Sequence, residues 1–245
     1  MESPIESRNP PLIAVGVVAA LKVEARALGP SMPKGGDPPL SELAAFSDGA
    51  LLAVSGIGRD AAERAARSLV DAGVAALMTF GMAGGLDPAL KAGSVVLPCE
   101  LISADGTRFV ASRSWRERVA AAVSPLRAVS TGNLLTSARA IDTPADKSAA
   151  FRDTGAAAVD MESAAVAAIA SHHNLPFIAV RVIVDTAADT LPRAVVNASR
   201  AGRVQIGRLM AGLIVAPGEI GALIRLVQRY RIAMRSLRAI SAHLS

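Results

Sequence analysis

Ala158-Val159-Asp160-Met161-Glu162-Ser163-Ala164-Ala165-Val166-Ala167 carries an apolar run into two carboxylates and out again into small residues. Ala156 to Val159 has the pattern of a buried strand, and the run from Ser163 that of a helix. Carboxylates at the mouth of a strand cost free energy unless something binds them. Asp160 is placed to cap the helix, because an aspartate at a helix start accepts orphan backbone N–H groups. Glu162 lies in the first turn and gains only modestly from the helix dipole. One of the two is therefore free to face a ligand.

The same alternation runs outward in both directions. Leu12 to Val18 reads as a buried strand, followed by a brief helical turn, Lys22 to Leu28, stopped by Gly29-Pro30. Glu42 to Phe46 and Leu51 to Val54 flank Asp48-Gly49, a hairpin signal. Arg59 to Ala72 has helical spacing and ends at Gly73. Further strands are expected at Ala75–Phe80, Ser94–Leu97, Leu126–Ser130, Ala156–Val159 and Phe177–Val184. Strands alternating with helices predict an α/β fold, an α/β/α sandwich around a mostly parallel sheet. Ligands of such folds gather at the carboxyl ends of strands. Glu24, Gly81, Glu162 and Asp185 each follow an expected strand directly or within a short loop, which points to one shared site.

The chain has 245 residues, 51% of them hydrophobic and only 3% aromatic, so its core is built from small aliphatics. One cysteine, Cys99, excludes an intrachain disulfide, and a reducing cytoplasmic setting is the expectation. Residues 1–11 are polar and proline-bearing and read as a disordered leader, followed by one domain over 12–216. No apolar run reaches the roughly 18 residues a membrane span needs. Charge is unevenly placed: residues 1–196 hold 18 basic and 20 acidic residues, whereas 197–245 hold eight arginines and one acid, Glu219. Two late helices are expected, Asn197–Val215 and Pro217–Leu244. The second carries a stripe of Leu223, Val227, Tyr230, Met234, Leu237 and Leu244 flanked by Arg225, Arg229, Arg231, Arg235 and Arg238. The stripe fits a core or partner helix, and with its arginines also a helix lying on a membrane surface. No Cys/His cluster suggests a metal, no basic–aromatic interleaving suggests nucleic acid, and Gly81–Gly85 lacks dinucleotide-binding spacing.

Five blocks in order give a sharper reading. They are Ala19-Ala20-Leu21-Lys22-Val23-Glu24, Ser55-Gly56-Ile57-Gly58, Thr79-Phe80-Gly81-Met82-Ala83-Gly84-Gly85-Leu86, Val159-Asp160-Met161-Glu162, and Val180-Arg181-Val182-Ile183-Val184-Asp185. Together they resemble the nucleoside phosphorylase and nucleosidase superfamily, in particular its methylthioadenosine/S-adenosylhomocysteine nucleosidase branch. The resemblance implies a phosphorylase/hydrolase-like three-layer α/β/α sandwich with an extra C-terminal helix over 217–245. It also implies a homo-oligomer such as a dimer, and no cofactor.

It further implies cleavage of an N-glycosidic bond to adenine. Asp185 corresponds to the family's acid for the departing purine, with Arg181 placed to orient or pair with it. An aspartate of ordinary pKa ~3.9 needs desolvation to hold a proton near neutrality. Glu162 corresponds to the ribose ligand, with Met161 packing on the sugar. Glu24 corresponds to the base that activates water, where phosphorylases usually carry a phosphate-gripping arginine. Gly81, Met82 and Ala83 correspond to backbone near the nucleophile, and Met82 replaces the family's serine. Leu135 and Thr136 fall where the family has its purine-stacking aromatic. Phosphate remains a possible co-substrate, with Arg26, Arg59 and Arg108 as candidate contacts. A non-catalytic nucleoside-binding module stays open as an alternative. The stretch Glu100–Trp115 is shorter than in the methylthioadenosine enzymes, which suits a larger apolar 5′ group. With the basic tail, this makes the chain most similar to the hopanoid-biosynthesis-associated phosphorylase branch. That branch implies a lipid nucleoside, adenosylhopane, and peripheral contact with the inner membrane face through the tail.

Overall fold

The computed structural model describes residues 15–29, 43–46, 50–192, 196 and 220–244. The leader 1–11, the hairpin turn Asp48-Gly49 and the expected helix Asn197–Val215 lie outside the described residues. Among the described residues, eleven strands form one sheet. They are β1 Val15–Ala19, β2 Leu43–Phe46, β3 Ala50–Val54, β4 Leu77–Gly85, β5 Val95–Val96, β6 Glu100–Ile102, β7 Arg108–Val110, β8 Val129–Ser130, β9 Leu134–Thr136, β10 Ala158–Asp160 and β11 Phe177–Asp185. The described helices are α1 Lys22–Ala27, α2 Arg59–Asp71, α3 Arg113–Val123, α4 Pro144–Thr154, α5 Ser163–His172 and α6 Ile220–Ser241. The fold is the expected mixed, mostly parallel α/β sandwich. Short β6, β7 and β9 carry too little apolar pattern to announce themselves as strands.

Alternation along the central strands feeds two cores. Val18, Leu77 and Ala179 point to one face, where α2 and α5 bury Ala62, Ala65, Ala66, Leu69, Val166 and Ile169. Val17, Met78, Ile178 and Val180 point to the other, under α1, α3 and α6. Alanines on α2 and α5 let those helices sit close together, which is how a core nearly free of aromatics stays packed.

β4 organises the centre. β11 runs parallel along one of its edges from Leu77 to Gly84. The other edge is shared: Leu77–Thr79 pair with β1, and Gly84–Gly85 pair with antiparallel β10. Between them, Phe80 to Ala83 have no strand neighbour on that side among the described residues. A gap in a sheet beside the carboxyl end of β1 is where an α/β fold makes room for a ligand. The expected strand stopped at Phe80. It continues through Gly85 because small residues let β10 and β11 approach β4 closely.

α6 belongs to the domain rather than to a free tail. It packs on β11 and α1, and its Ala233, Met234, Leu237 and Ile240 are buried in the second core. Ile224, Val227 and Ile232 remain exposed. A chain ending at Ala216 is therefore expected to be insoluble or unfolded. Each large side chain lost from a core costs about 1.5–3 kcal/mol, against a total stability of about 5–15 kcal/mol. Circular dichroism and solubility of the truncated chain check this.

Candidate active site

The gap beside β4 opens into a cleft of about 410 Å³, within the range of roughly 300–1,000 Å³ usual for small-molecule sites. Its wall includes Glu24, Asp160, Glu162 and Asp185 together with apolar Ile57, Met82, Val184, Leu191, Leu226 and Val227. The tail helix thus supplies part of the wall.

Glu24 stands one turn into α1, immediately after β1. Its Oε2 accepts the Leu21 N–H at 2.9 Å and its Oε1 the Met82 N–H at 2.8 Å. The second bond spans the unpaired stretch of β4. Gly81 makes the approach possible: a Cβ there would lie 2.7 Å from Glu24 Oε1. Burial pushes the Glu24 carboxyl up, opposed by the Arg181 charge and the backbone N–H groups it accepts.

Asp160 turns to the helix that follows, as expected, whereas Glu162 precedes that helix and turns to α2. Asp160 accepts the Ser163 N–H at 3.2 Å and the Thr136 hydroxyl at 2.8 Å, so it caps α5 from within the domain. Glu162 Oε1 accepts the Gly58 N–H at 2.8 Å, at the N-terminus of α2. Gly58 holds φ of 100°, a conformation glycine takes without strain. Burial, followed by the Asp160 charge, pushes Glu162 up to about 7, against the pull of the Gly58 N–H and Arg181.

Arg181 departs from expectation. It does not meet Asp185; its Nε donates to Asp160 Oδ2 at 2.9 Å and its Nη2 to Ser163 Oγ at 2.7 Å. Arg181 and Asp185 lie four residues apart on β11, and Arg181 points back beneath β10 as the buried cation behind the acidic wall. The partner of Asp185 is Lys147, which the sequence reading missed. Lys147 Nζ donates to Asp185 Oδ2 from α4, itself started by Thr143 accepting the Asp146 N–H. A lysine in a polar stretch between expected strands gives no sign of being enclosed. Burial raises Asp185 and Lys147 works against it.

Other expected contacts are also displaced. Leu135 packs in a small cluster with Val159, Ile141 and Phe151 rather than on the cleft wall. Thr136 faces a separate hollow of about 420 Å³, shared with Met161, Arg59, Thr107 and Phe109. The 103–109 turn borders that hollow and not the cleft. Gly81 lies behind Glu24, while Met82 and Ala83 do line the cleft. The N–H groups of Gly81–Gly84 do not form an anion-binding loop, because these residues belong to β4 and Met82 N–H is taken by Glu24. Arg26, Arg59 and Arg108 are absent from the wall, and Arg108 pairs with Glu100 at 2.8 Å. Among the described residues, the arginine that does line it is Arg139.

Raised carboxyl pKa values have a consequence for stability. A folded state that binds protons more tightly than the unfolded chain gains stability as pH falls. For Glu162 the gain is complete below its ordinary 4.5 and is lost as pH rises through about 7. Glu24 and Asp185 shift in the same direction. The protein is expected to be more stable at pH 5.5 than at pH 8, by about 2 kcal/mol from Glu162 alone. Melting temperatures at the two pH values check this.

Acid groups gathered in a part-apolar cleft beside a central parallel strand are the arrangement of an enzyme that handles a small polar-and-apolar ligand. Residues 44–214 match the model of the phosphorylase superfamily, and the chain belongs to that family. Among solved structures it is similar to methylthioadenosine/S-adenosylhomocysteine nucleosidase from Neisseria meningitidis in complex with methylthio-immucillin-A. That match has 20% identity and a TM-score of 0.72, over 95% of this chain and 98% of that one. Futalosine hydrolase of Helicobacter pylori matches at 18% identity and a TM-score of 0.64, over 88% and 97%. The methylthioadenosine/S-adenosylhomocysteine nucleosidase of H. pylori, crystallised with butyl-thio-DADMe-immucillin-A, matches at 18% and 0.65, over 83% and 99%. No curated protein sequence matches the chain.

Proposed function

We propose that this cleft hydrolyses the N-glycosidic bond of a 5′-modified adenine nucleoside. The observation that carries the reading is the convergence of Glu24, Glu162 and Asp185 on one wall. In this reading Asp185 protonates the purine so that it leaves neutral. Glu162 accepts the ribose hydroxyls and offsets the positive charge that develops on the sugar. Glu24 takes a proton from water as it attacks the anomeric carbon. Met82 and Met161 pack against the nucleoside. Leu135, Thr136, Gly81 and Arg181 support the wall from behind, Arg181 by holding Asp160 and Ser163. Water is favoured over phosphate because Glu24 would repel an anion; Arg26, Arg59 and Arg108 are not on the wall, and Arg139 is the one arginine among the described residues that is.

The apolar side of the cleft continues onto Leu226 and Val227, and the exposed Ile224 lies one turn away on α6. This rim suits a large apolar 5′ group, and adenosylhopane presented at an anionic membrane surface is the proposed substrate. The test offers adenosylhopane in phosphatidylglycerol vesicles and methylthioadenosine in solution, each with and without phosphate. Adenine release with a free sugar product, faster from adenosylhopane and independent of phosphate, is expected. Phosphate-dependent release would make the enzyme a phosphorylase. Release from methylthioadenosine alone would remove the lipid substrate.

A further inference from the structure

We propose that Lys147 is a positioning residue for Asp185: it holds Oδ2 so that Oδ1 meets the base, and it sets the pH range in which that carboxyl carries a proton. The proposal rests on the reading of Asp185 as the acid. Lys147 is 0% exposed. Besides Asp185 Oδ2, its Nζ donates to the carbonyl oxygens of Thr186 at 2.9 Å and Asp189 at 3.0 Å. An ammonium has three N–H donors, and each finds an acceptor here. Two of the acceptors belong to the loop that leaves β11, so one side chain from α4 fixes both the carboxyl and the backbone just beyond it. A site that required only packing would be filled at lower cost by an apolar side chain of similar volume.

The charges around Asp185 come from several elements. Lys147 stands on α4, and Arg229 on α6 pairs with Asp189 of the loop. Glu24, Arg139, Asp160, Glu162 and Tyr230 line the same cleft, with Arg181 behind Asp160, and Arg225 of α6 borders a small hollow that Asp185 and Arg229 also line. Lys147 and Arg229 favour the carboxylate, and burial favours the protonated acid. Without the Lys147 charge, Asp185 keeps its proton to higher pH.

The kcat–pH profile for adenine release tests this, with whichever of adenosylhopane and methylthioadenosine the wild type cleaves faster. Lys147→Met is expected to move the alkaline limb of kcat upward by about one pH unit or more. It is also expected to lower the plateau by about tenfold or more, since a carboxyl misplaced by an ångström is costly. A merely structural role would lower kcat and leave the limb in place. An unmoved limb in folded Lys147→Met, with Asp185→Asn inactive, overturns the proposal. An active Asp185→Asn overturns the assignment of the acid instead. Should Lys147→Met fail to fold, Lys147→Arg decides. It keeps the charge but grips with a fork, so a fall in kcat at unchanged KM supports positioning, and a wild-type kcat overturns it.

Discussion

Asp185→Asn is expected to lower adenine release by about 10²–10⁴-fold, the usual worth of general acid help, while the nucleoside still binds. Asparagine has the shape of aspartic acid but no proton to give a purine. The Lys147 contact adds a second expectation. Where Asp185 is ionised, an amide in its place removes the counter-charge of the enclosed ammonium, and breaking a buried pair from one side costs about 3–5 kcal/mol. The variant should therefore melt lower as well as turn over slowly. Kinetics must be measured well below its melting temperature, with binding followed by calorimetry using a non-hydrolysable nucleoside analogue. Near-normal turnover in a folded variant would remove Asp185 from the chemistry.

Glu24→Gln is expected to reduce hydrolysis by about 10²–10⁴-fold, because water loses its base. Its geometry makes the substitution more than a change of charge. Both carboxylate oxygens accept backbone N–H groups, from Leu21 and from Met82. A glutamine satisfies one and turns its own N–H₂ group toward the other. Some loosening of α1 against β4 should accompany the lost activity, visible as a lower melting temperature. If phosphate drives the wild-type reaction, the same substitution removes a repulsive charge and should spare or improve turnover. Product analysis for free sugar against sugar phosphate separates these outcomes.

Much of the fold was legible because its central strands are long apolar runs and its helices begin at the turns that follow them. Val17 and Val18, or Ile178 and Ala179, serve opposite cores whatever their neighbours do. The carboxylates were legible for a similar reason: Glu24 and Glu162 sit where a strand gives way to a helix, and Asp185 closes β11. What the sequence hid was pairing across the chain. Nothing local says that Arg181 turns to Asp160 instead of Asp185, or that Lys147, 38 residues before Asp185, is its partner. These choices follow from which side of the sheet each element covers. The role of α6 was hidden in the same way. An apolar stripe with flanking arginines reads alike whether it lies on lipid or on β11, and only the packing of Met234, Leu237 and Ile240 distinguishes them.

The interrupted edge of β4 bears on how such a protein can change over evolutionary time. Glu24 is tethered by main-chain N–H groups of Leu21 and Met82, and Glu162 by that of Gly58. Asp185 is itself part of the β11 ladder opposite Gly84. Their places are written in main-chain geometry, which tolerates exchange of the side chains around it. The side chains of Ile57, Val184, Leu191, Leu226 and Val227 have no polar group to tether and contribute only shape and apolar surface. Selection can remodel that lining while the three carboxylates stay where they are, so, on the function proposed above, substrate preference and bond-breaking chemistry are free to diverge separately.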